Sequence, residues 1–388
     1  MTIESNGGAN ISDSINKFKS VIARLDDQFQ SYLIFIIIAV VVIFYLFYLI
    51  KVSNLRQQEC SNMSQLYPSI DGYIAPISSS NPDLSGNLFD YYIKTAYNCC
   101  SGGKYKNDYV DICNLKAVIN QGVRCLDFEV YSIENQPVVA TSTGNSFNVK
   151  ETYNYVPFGG SSDSVMEIIN SYAFANGTAP NPTDPLIIHL RIQSANQEMY
   201  TNFANIFSNY DDKMLGYEYS YENTGRNLGE DPLLSFQNKI ILIVDKTNTE
   251  FLQNSAFLEY VNMTSNSAYM RTYTNSDIVN NPDVDELTEY NRAHMSIVFP
   301  DTQINPANPS TILARAYGCQ MVAMRYQYVD NYLLANAAFF DRAGYAFVLK
   351  PESLRNNPII IPDPIPQDPA NSYAPRTVNT PYQKFQNL

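Results

Sequence analysis

The chain of 388 residues contains no Trp and only two His, His189 and His294. A mechanism needing one histidine as base and another as acid would have to recruit both. Charged residues are also scarce, at 16%, while hydrophobic residues reach 45%. Such a chain has the means to build a core and lacks the composition of a disordered protein. Positive charge is in deficit: 25 Lys and Arg face 38 Asp and Glu, for a net charge of −13. No nucleic-acid partner is expected, because that role needs a basic surface to displace counterions. Six Cys occur, at 60, 99, 100, 113, 125 and 319. Their spacing fits no zinc pattern, and they are too few and too uneven for a disulfide framework. Buried free thiols are expected for most of them, with a link from Cys99 or Cys100 to Cys113 as the alternative.

What is present in quantity is one long apolar run. Tyr32 to Ile50 reads YLIFIIIAVVVIFYLFYLI, without charge, Gly or Pro. At 1.5 Å per residue it spans about 28 Å, close to the hydrocarbon thickness of a bilayer. Tyr32, Tyr45 and Tyr48 sit near its ends, where aromatic rings favour the interface. It is too long and too far from the N-terminus for a signal peptide. Residues 31–51 therefore predict a transmembrane helix, with the lipid bilayer as partner through residues 32–50. Lys17, Lys19 and Arg24 before the run, against Lys51 and Arg56 after it, favour a cytosolic N-terminus slightly. Sequons at Asn62, Asn176 and Asn262 would be glycosylated if the large domain were lumenal; in an Asn-rich chain they do not decide its side.

Around the anchor, residues 1–30 turn from polar to amphipathic, with Ile15, Phe18, Val21, Ile22, Leu25 and Phe29 at helical spacing. Residues 52–87 read as a stalk or packed extension, broken by Pro68, Pro76 and Pro82. From Leu88 short β-type runs alternate with helical ones: 88–97, 122–132, 136–142, 185–194, 239–246, 268–273, 294–300, 319–328 and 345–350. Helices are expected over Ser164–Ala173 and Asn331–Ala343, the second with Asn331 as N-cap and Gly344 as stop. Repeated β–α units over residues 88–351 predict an α/β fold, a (β/α)8 TIM barrel, with a doubly wound open sheet as the alternative. Residues 352–388, rich in Pro and Asn, are expected to run extended, either disordered or, the favoured alternative, along a partner.

Two strands carry candidate chemistry. GVRCLDFEVY places Cys125, Asp127 and Glu129 at two-residue spacing, hence on one face, where two carboxylates could hold a divalent cation. PLIIHLRIQ places His189 and Arg191 on one face in the same way.

At these residues the sequence resembles the catalytic barrel of phosphoinositide-specific phospholipase C. GVRCLDFEVY is similar to that family's R-C-[VL]-[ED]-[LF]-[DE] strand, PLIIHLRIQ to P-V-I-L-S-L-E-N-H, and KIILIVDK to the K-I-L-I strand opening the Y half. GCQMVA and the following helix and GYAFVLKP, within residues 318–351, resemble the end of the Y half. The resemblance implies attack of an inositol hydroxyl on its own phosphodiester, with two His and a Ca²⁺ ion. Carried over by residue, the chemistry is missing. Tyr97 stands where the first His belongs and Thr143 where the second belongs. Asn98, Asp127 and Glu129 match Ca²⁺ ligands, but Arg191 replaces the fourth, a Glu. Its guanidinium is expected to pair with both carboxylates in the metal's place and to repel Ca²⁺. Lys246 matches a phosphate-contacting Lys whose companion is here Val244. The family's S-S-N-Y has no counterpart around Thr302–Pro309. His189 is expected to be a hydrogen-bonded core residue and His294 a structural one.

The resemblance thus implies a membrane-anchored barrel without catalysis, acting as a structural or interaction protein. No cofactor is expected, Ca²⁺ binding only if the altered site still accepts it. The anchor, together with YNCCSGG, RCLDFEVYS and KETYN, further resembles phospholipase-C-like virion proteins of large double-stranded DNA viruses. That implies a virion internal membrane or host-derived membrane, with other virion or capsid proteins as partners through the barrel surface and the C-terminal tail. Two alternatives are a phosphodiesterase with displaced catalysts, such as His189, and an anionic-lipid headgroup module. The latter would need Arg191 and Lys246 to make the mouth basic.

Overall fold

The structure is a computed structural model and describes residues 7–22, 27–143, 149–221, 225–356 and 376–387. They fall into two compact units, 1–355 and 356–388. In the second, Arg376–Asn379 and Lys384–Asn387 form an antiparallel hairpin, where extended chain was expected; residues 357–375 lie outside the described residues.

The first unit is built on eight parallel strands: β1 (Tyr91–Ala96), β2 (Cys125–Ile133), β3 (Leu186–Ile192), β4 (Ile240–Asp245), β5 (Met263–Ser265), β6 (Met270–Thr274), β7 (Met295–Phe299) and β8 (Met321–Met324). Neighbours follow chain order from β5 back through β1 to β8, then β7 and β6. The ends of this path, β5 and β6, share no ladder, so the barrel is nearly closed. That arrangement excludes the doubly wound alternative, in which strand order reverses at a switch point. β3 and β4 are nearly unbroken apolar runs because both of their faces are covered. The two faces are nevertheless distinct. Ile93, Cys125, Ile187, Ile241, Met263, Met270, Met295 and Met321 fill the barrel interior. Leu126, Phe128, Ile188, Leu190, Leu242 and Val244 point outward into the layer shared with the helices. Outside the eight, Gln136–Val139 pairs antiparallel with β2, and Phe347–Leu349 with β1.

The helices include α1 (Gly7–Ile22), α2 (Asp27–Leu66), α3 (Ile112–Asn120), α4 (Gln197–Phe207), α5 (Val284–Ala293) and α6 (Asn331–Ala343). Asp330, rather than Asn331, caps α6, its carboxylate accepting from the Leu333 N–H, and Gly344 ends it at φ 79°. The expected helix at 164–173 is a short α turn, Val165–Ile168, continued as a π-helix over Ile169–Ala173.

α2 is one uninterrupted helix of 40 residues, about 60 Å long, in which the apolar run continues into the stalk. The part containing that run is long and apolar enough to cross a membrane, and none of it is buried by protein. Its C-terminal part lies along α3. Arg56 pairs with Asp111 at the start of α3, Cys60 forms a disulfide with Cys113, and the Asp71 N–H reaches the Asn120 carbonyl at its end. This disulfide was not expected from the sequence; Cys99, Cys100, Cys125 and Cys319 are free and buried. α3 follows β1, so it starts at the C-terminal, mouth end of the barrel and finishes at the opposite end. The apolar half of α2 therefore projects from the mouth side. There the Tyr48 hydroxyl lies 3.2 Å from that of Tyr153, in the loop region after β2. Residues 67–87 wrap the opposite end, burying Ile74, Ile77 and Leu84.

Candidate functional site

β2 and β3 run side by side with Asp127 opposite His189 and Glu129 opposite Arg191. Alternation on each strand turns all four side chains inward, Asp127 and His189 one step below Glu129 and Arg191. Asn98 enters from the turn after β1, at φ 45°, a left-handed conformation that Asn tolerates better than most residues.

The Arg191 guanidinium sits at the centre. Its Nε and Nη2 donate to the two oxygens of Asp127, each at 3.0 Å. Nη1 donates to Glu129 Oε2 at 3.2 Å, and Nη2 also to Asn98 Oδ1 at 2.6 Å. One cation thereby engages the three groups that match a metal's oxygen ligands. The rest of their capacity is used as well. Asp127 accepts from the Asn98 N–H at 3.2 Å and lies 2.8 Å from His189 Nδ1. Glu129 Oε1 accepts from the Ser142 hydroxyl at 2.8 Å and from the Tyr131 hydroxyl.

Burial acts to raise the pKa of Asp127, but Arg191 and His189 outweigh it and hold the carboxylate at about 2. Burial acts to lower that of Arg191, and the Asp127 and Glu129 charges drive it upward overall. Arg191 is thus a fixed cation at any ordinary pH. Tyr97 lies over it, with the guanidinium carbon 4.7 Å from the ring centroid; Phe299 is at 5.5 Å. Burial pushes the Tyr97 phenol up to about 12, only partly opposed by Arg191, so it cannot serve as a base near neutrality.

The other positions singled out in the sequence are dispersed. Thr143 is tied through its N–H and hydroxyl to Glu151 Oε2, at 2.7 and 2.5 Å. His189 is fully buried, and its Nε2 lies 2.9 Å from the Ser265 hydroxyl. His294 stacks between Tyr269 and Tyr290 at the start of β7. Lys246 does not line the cavity that remains beside Arg191. That cavity, about 160 Å³, is bounded by Arg191, Ile192, Gln193, Asp245, Thr247 and Asn248. Pockets that take small-molecule ligands are typically ~300–1,000 Å³. Residues 302–308 hold Arg325 instead of presenting hydroxyls to the mouth: Asn305 and Pro306 accept from its guanidinium. Sequence reasoning missed Tyr131, Ser142 and Ser265. Tyr131 continues the alternation of Asp127 and Glu129 and was available to it. Ser265 lies on a three-residue strand with no pattern to announce it.

The group the resemblance calls for is Ca²⁺, which takes 6–8 oxygens. The donor set does not fit it, because the carboxylates and Asn98 Oδ1 are spent on a guanidinium that would repel the ion.

Residues 239–353, from β4 through the strand that follows α6, match the family of phosphatidylinositol-specific phospholipase C, Y domain. The structure is similar to that of PLC21 from S. officinalis, with a TM-score of 0.52 and 15% identity over 70% of this chain. PLC21 from L. pealei gives 0.53 and 16% over the same share. In both cases only 38% of the other protein's length is matched. The chain thus carries a phospholipase C-like TIM barrel, with the Y-domain pattern in its second half.

Proposed function

We propose that this protein is a membrane-anchored phospholipase C-like barrel that has given up catalysis and serves as a structural or interaction module. One observation carries the reading: Arg191 is bonded to Asp127, Glu129 and Asn98, the residues that the resemblance matches to metal ligands. Removing the histidines at positions 97 and 143 would each cost roughly 10²–10⁴ in rate. His189 offers no replacement, being buried beneath Arg191 with both ring nitrogens engaged. The setting in a virion, with capsid or other virion proteins as partners, is proposed on the resemblance of the anchor, YNCCSGG, RCLDFEVYS and KETYN alone.

The barrel is proposed to lie on an oxidising side of the membrane. The Cys60–Cys113 disulfide supports this, since such bonds rarely persist in a reducing cytosol. The basic residues before the apolar run point the same way.

The test is a Ca²⁺ titration of the full chain in detergent, followed by thermal unfolding and by release of inositol phosphate from phosphatidylinositol vesicles. A ligand that binds only the native state raises the midpoint with its concentration. The expected result is no shift at millimolar Ca²⁺ and no turnover. A shift abolished by Asp127→Asn, or Ca²⁺-dependent turnover, would overturn the proposal.

A further inference from the structure

A second concavity lies away from the barrel mouth. It is a cleft of about 650 Å³ between α2, the start of α3 and the loop region after β2. Arg56, Lys116 and Lys150 line it, with Asp111 and Asp163 as its acidic residues. Arg56 is neutralised by Asp111 at 2.5 Å. The other two cations have no carboxylate partner among the described residues. Lys150 Nζ donates to the Thr152 carbonyl at 2.6 Å, and Lys116 Nζ lies 4.9 Å from the centre of the Tyr172 ring. Asp163 is exposed and lies in no ion pair among the described residues. The cleft therefore holds one unit of positive charge in excess, in a protein whose overall charge is −13.

Its position says which anion would arrive. Arg56 lies six residues beyond Ile50, the end of the apolar run, hence about 9 Å further along the same helix. The polar zone outside the hydrocarbon is roughly 5–8 Å thick on each side, so Arg56 stands at its outer edge. Tyr153, which lines the cleft, touches Tyr48 near the end of that run and packs at a tilt against Tyr109, with ring centroids 5.3 Å apart. An exposed Tyr pair at that level is the usual furniture of a membrane interface. From the cleft's size, its excess cations and its depth, we infer that it binds the phosphate of one anionic phospholipid from the bilayer that α2 crosses. Lys116 and Lys150 would contact the phosphate, while the acyl chains would leave beside the apolar half of α2. Burial lowers the pKa of Lys150, as it does for a cation waiting for a counterion. The inference rests on the membrane-spanning reading of α2, and it is separate from the mouth, where Arg191 has no charge to spare.

The experiment uses the full chain in phosphatidylcholine nanodiscs doped with phosphatidylserine, with retained lipid counted by native mass spectrometry. Wild type is expected to retain one phosphatidylserine. Lys116→Gln with Lys150→Gln should weaken retention about 25-fold, at about fivefold per lysine near a membrane surface. Asp163→Asn should strengthen it, a change of sign that a misfolded variant would not produce. Equal retention by wild type and the double variant would overturn the inference. So would stabilisation by millimolar inorganic phosphate in undoped discs without any retained phosphatidylserine, because the source would then be soluble. A chain that does not enter the discs would overturn the anchor itself, a failure distinct from absent lipid preference in discs that do form.

Discussion

Replacing Arg191 by Ala removes the cation that, among the described residues, pairs with both Asp127 and Glu129. The fall of the Asp127 pKa from 3.8 to about 2 corresponds to about 2 kcal/mol of folding free energy near neutral pH. Glu129 and Asn98 lose their donors in the same step, and removing one partner of a buried ion pair typically costs ~3–5 kcal/mol. At roughly 2 °C per kcal/mol for a domain of this size, the midpoint should fall by about 6–10 °C at pH 7. The pH dependence has a definite sign. A depressed carboxylate contributes stability above its unfolded pKa and loses it as pH falls through the folded value. The gap between wild type and variant should therefore be full above about pH 4 and shrink towards pH 2. Thermal unfolding of the full chain in detergent, monitored by far-ultraviolet circular dichroism across this range, measures both. A variant within about 2 °C of wild type at pH 7, or a gap that stays flat down to pH 3, would refute the assignment of Arg191 as the internal counterion. In the same assay Arg191→Glu should gain a Ca²⁺-dependent rise in midpoint, since it returns an oxygen donor and removes the repelling charge.

Three further outcomes are expected. Cys60→Ser opens a loop of 53 residues and should cost about 4 kcal/mol on the chain-entropy estimate, read by denaturant unfolding with and without reductant. Burial and the neighbouring Asp108 push the Glu59 carboxyl up to about 10. Its contribution to stability is full below its ordinary 4.5 and is lost as pH rises towards 10, so Glu59→Gln should flatten the decline in midpoint over that window. If the barrel is lumenal, exposed Asn62 and Asn176 should carry glycans and Asn262 should not. Asn262 is 3% exposed, with its side chain accepting from the Leu242 N–H. A glycosidase-sensitive mobility shift that disappears when Asn62→Gln and Asn176→Gln are combined would show this, and its absence from a secretory-pathway preparation would count against that side.

The barrel was legible because its strands advertise themselves. β3 and β4 are runs rich in Ile and Leu, β2 alternates apolar and polar residues at its start, and the step of two along a strand was enough to bring Arg191 to Asp127 and Glu129. What could not be read was set by contacts distant in sequence. The partner of Cys113 proved to be Cys60, on a helix that the three prolines after it made look like a broken stalk; the helix ends at Leu66, before Pro68. β5, with three residues, was invisible to periodicity, and with it Ser265 beneath the site. The N-cap of α6 fell one residue earlier than expected, because Asp330 competes for the same amide groups and reaches the Leu333 N–H.

The continuity of α2 has a mechanical consequence. A domain on a flexible tether explores a hemisphere above its membrane and meets partners in any attitude. Here the shaft that leaves the apolar run is the same helix that is riveted to α3 through Cys60 and Cys113. Tilting or turning that shaft must turn the barrel with it, so if the apolar run spans a bilayer the mouth would stay directed at the surface from which the shaft emerges. In that setting the flanks and the far end, where residues 67–87 wrap the barrel, would be the surfaces open to solution.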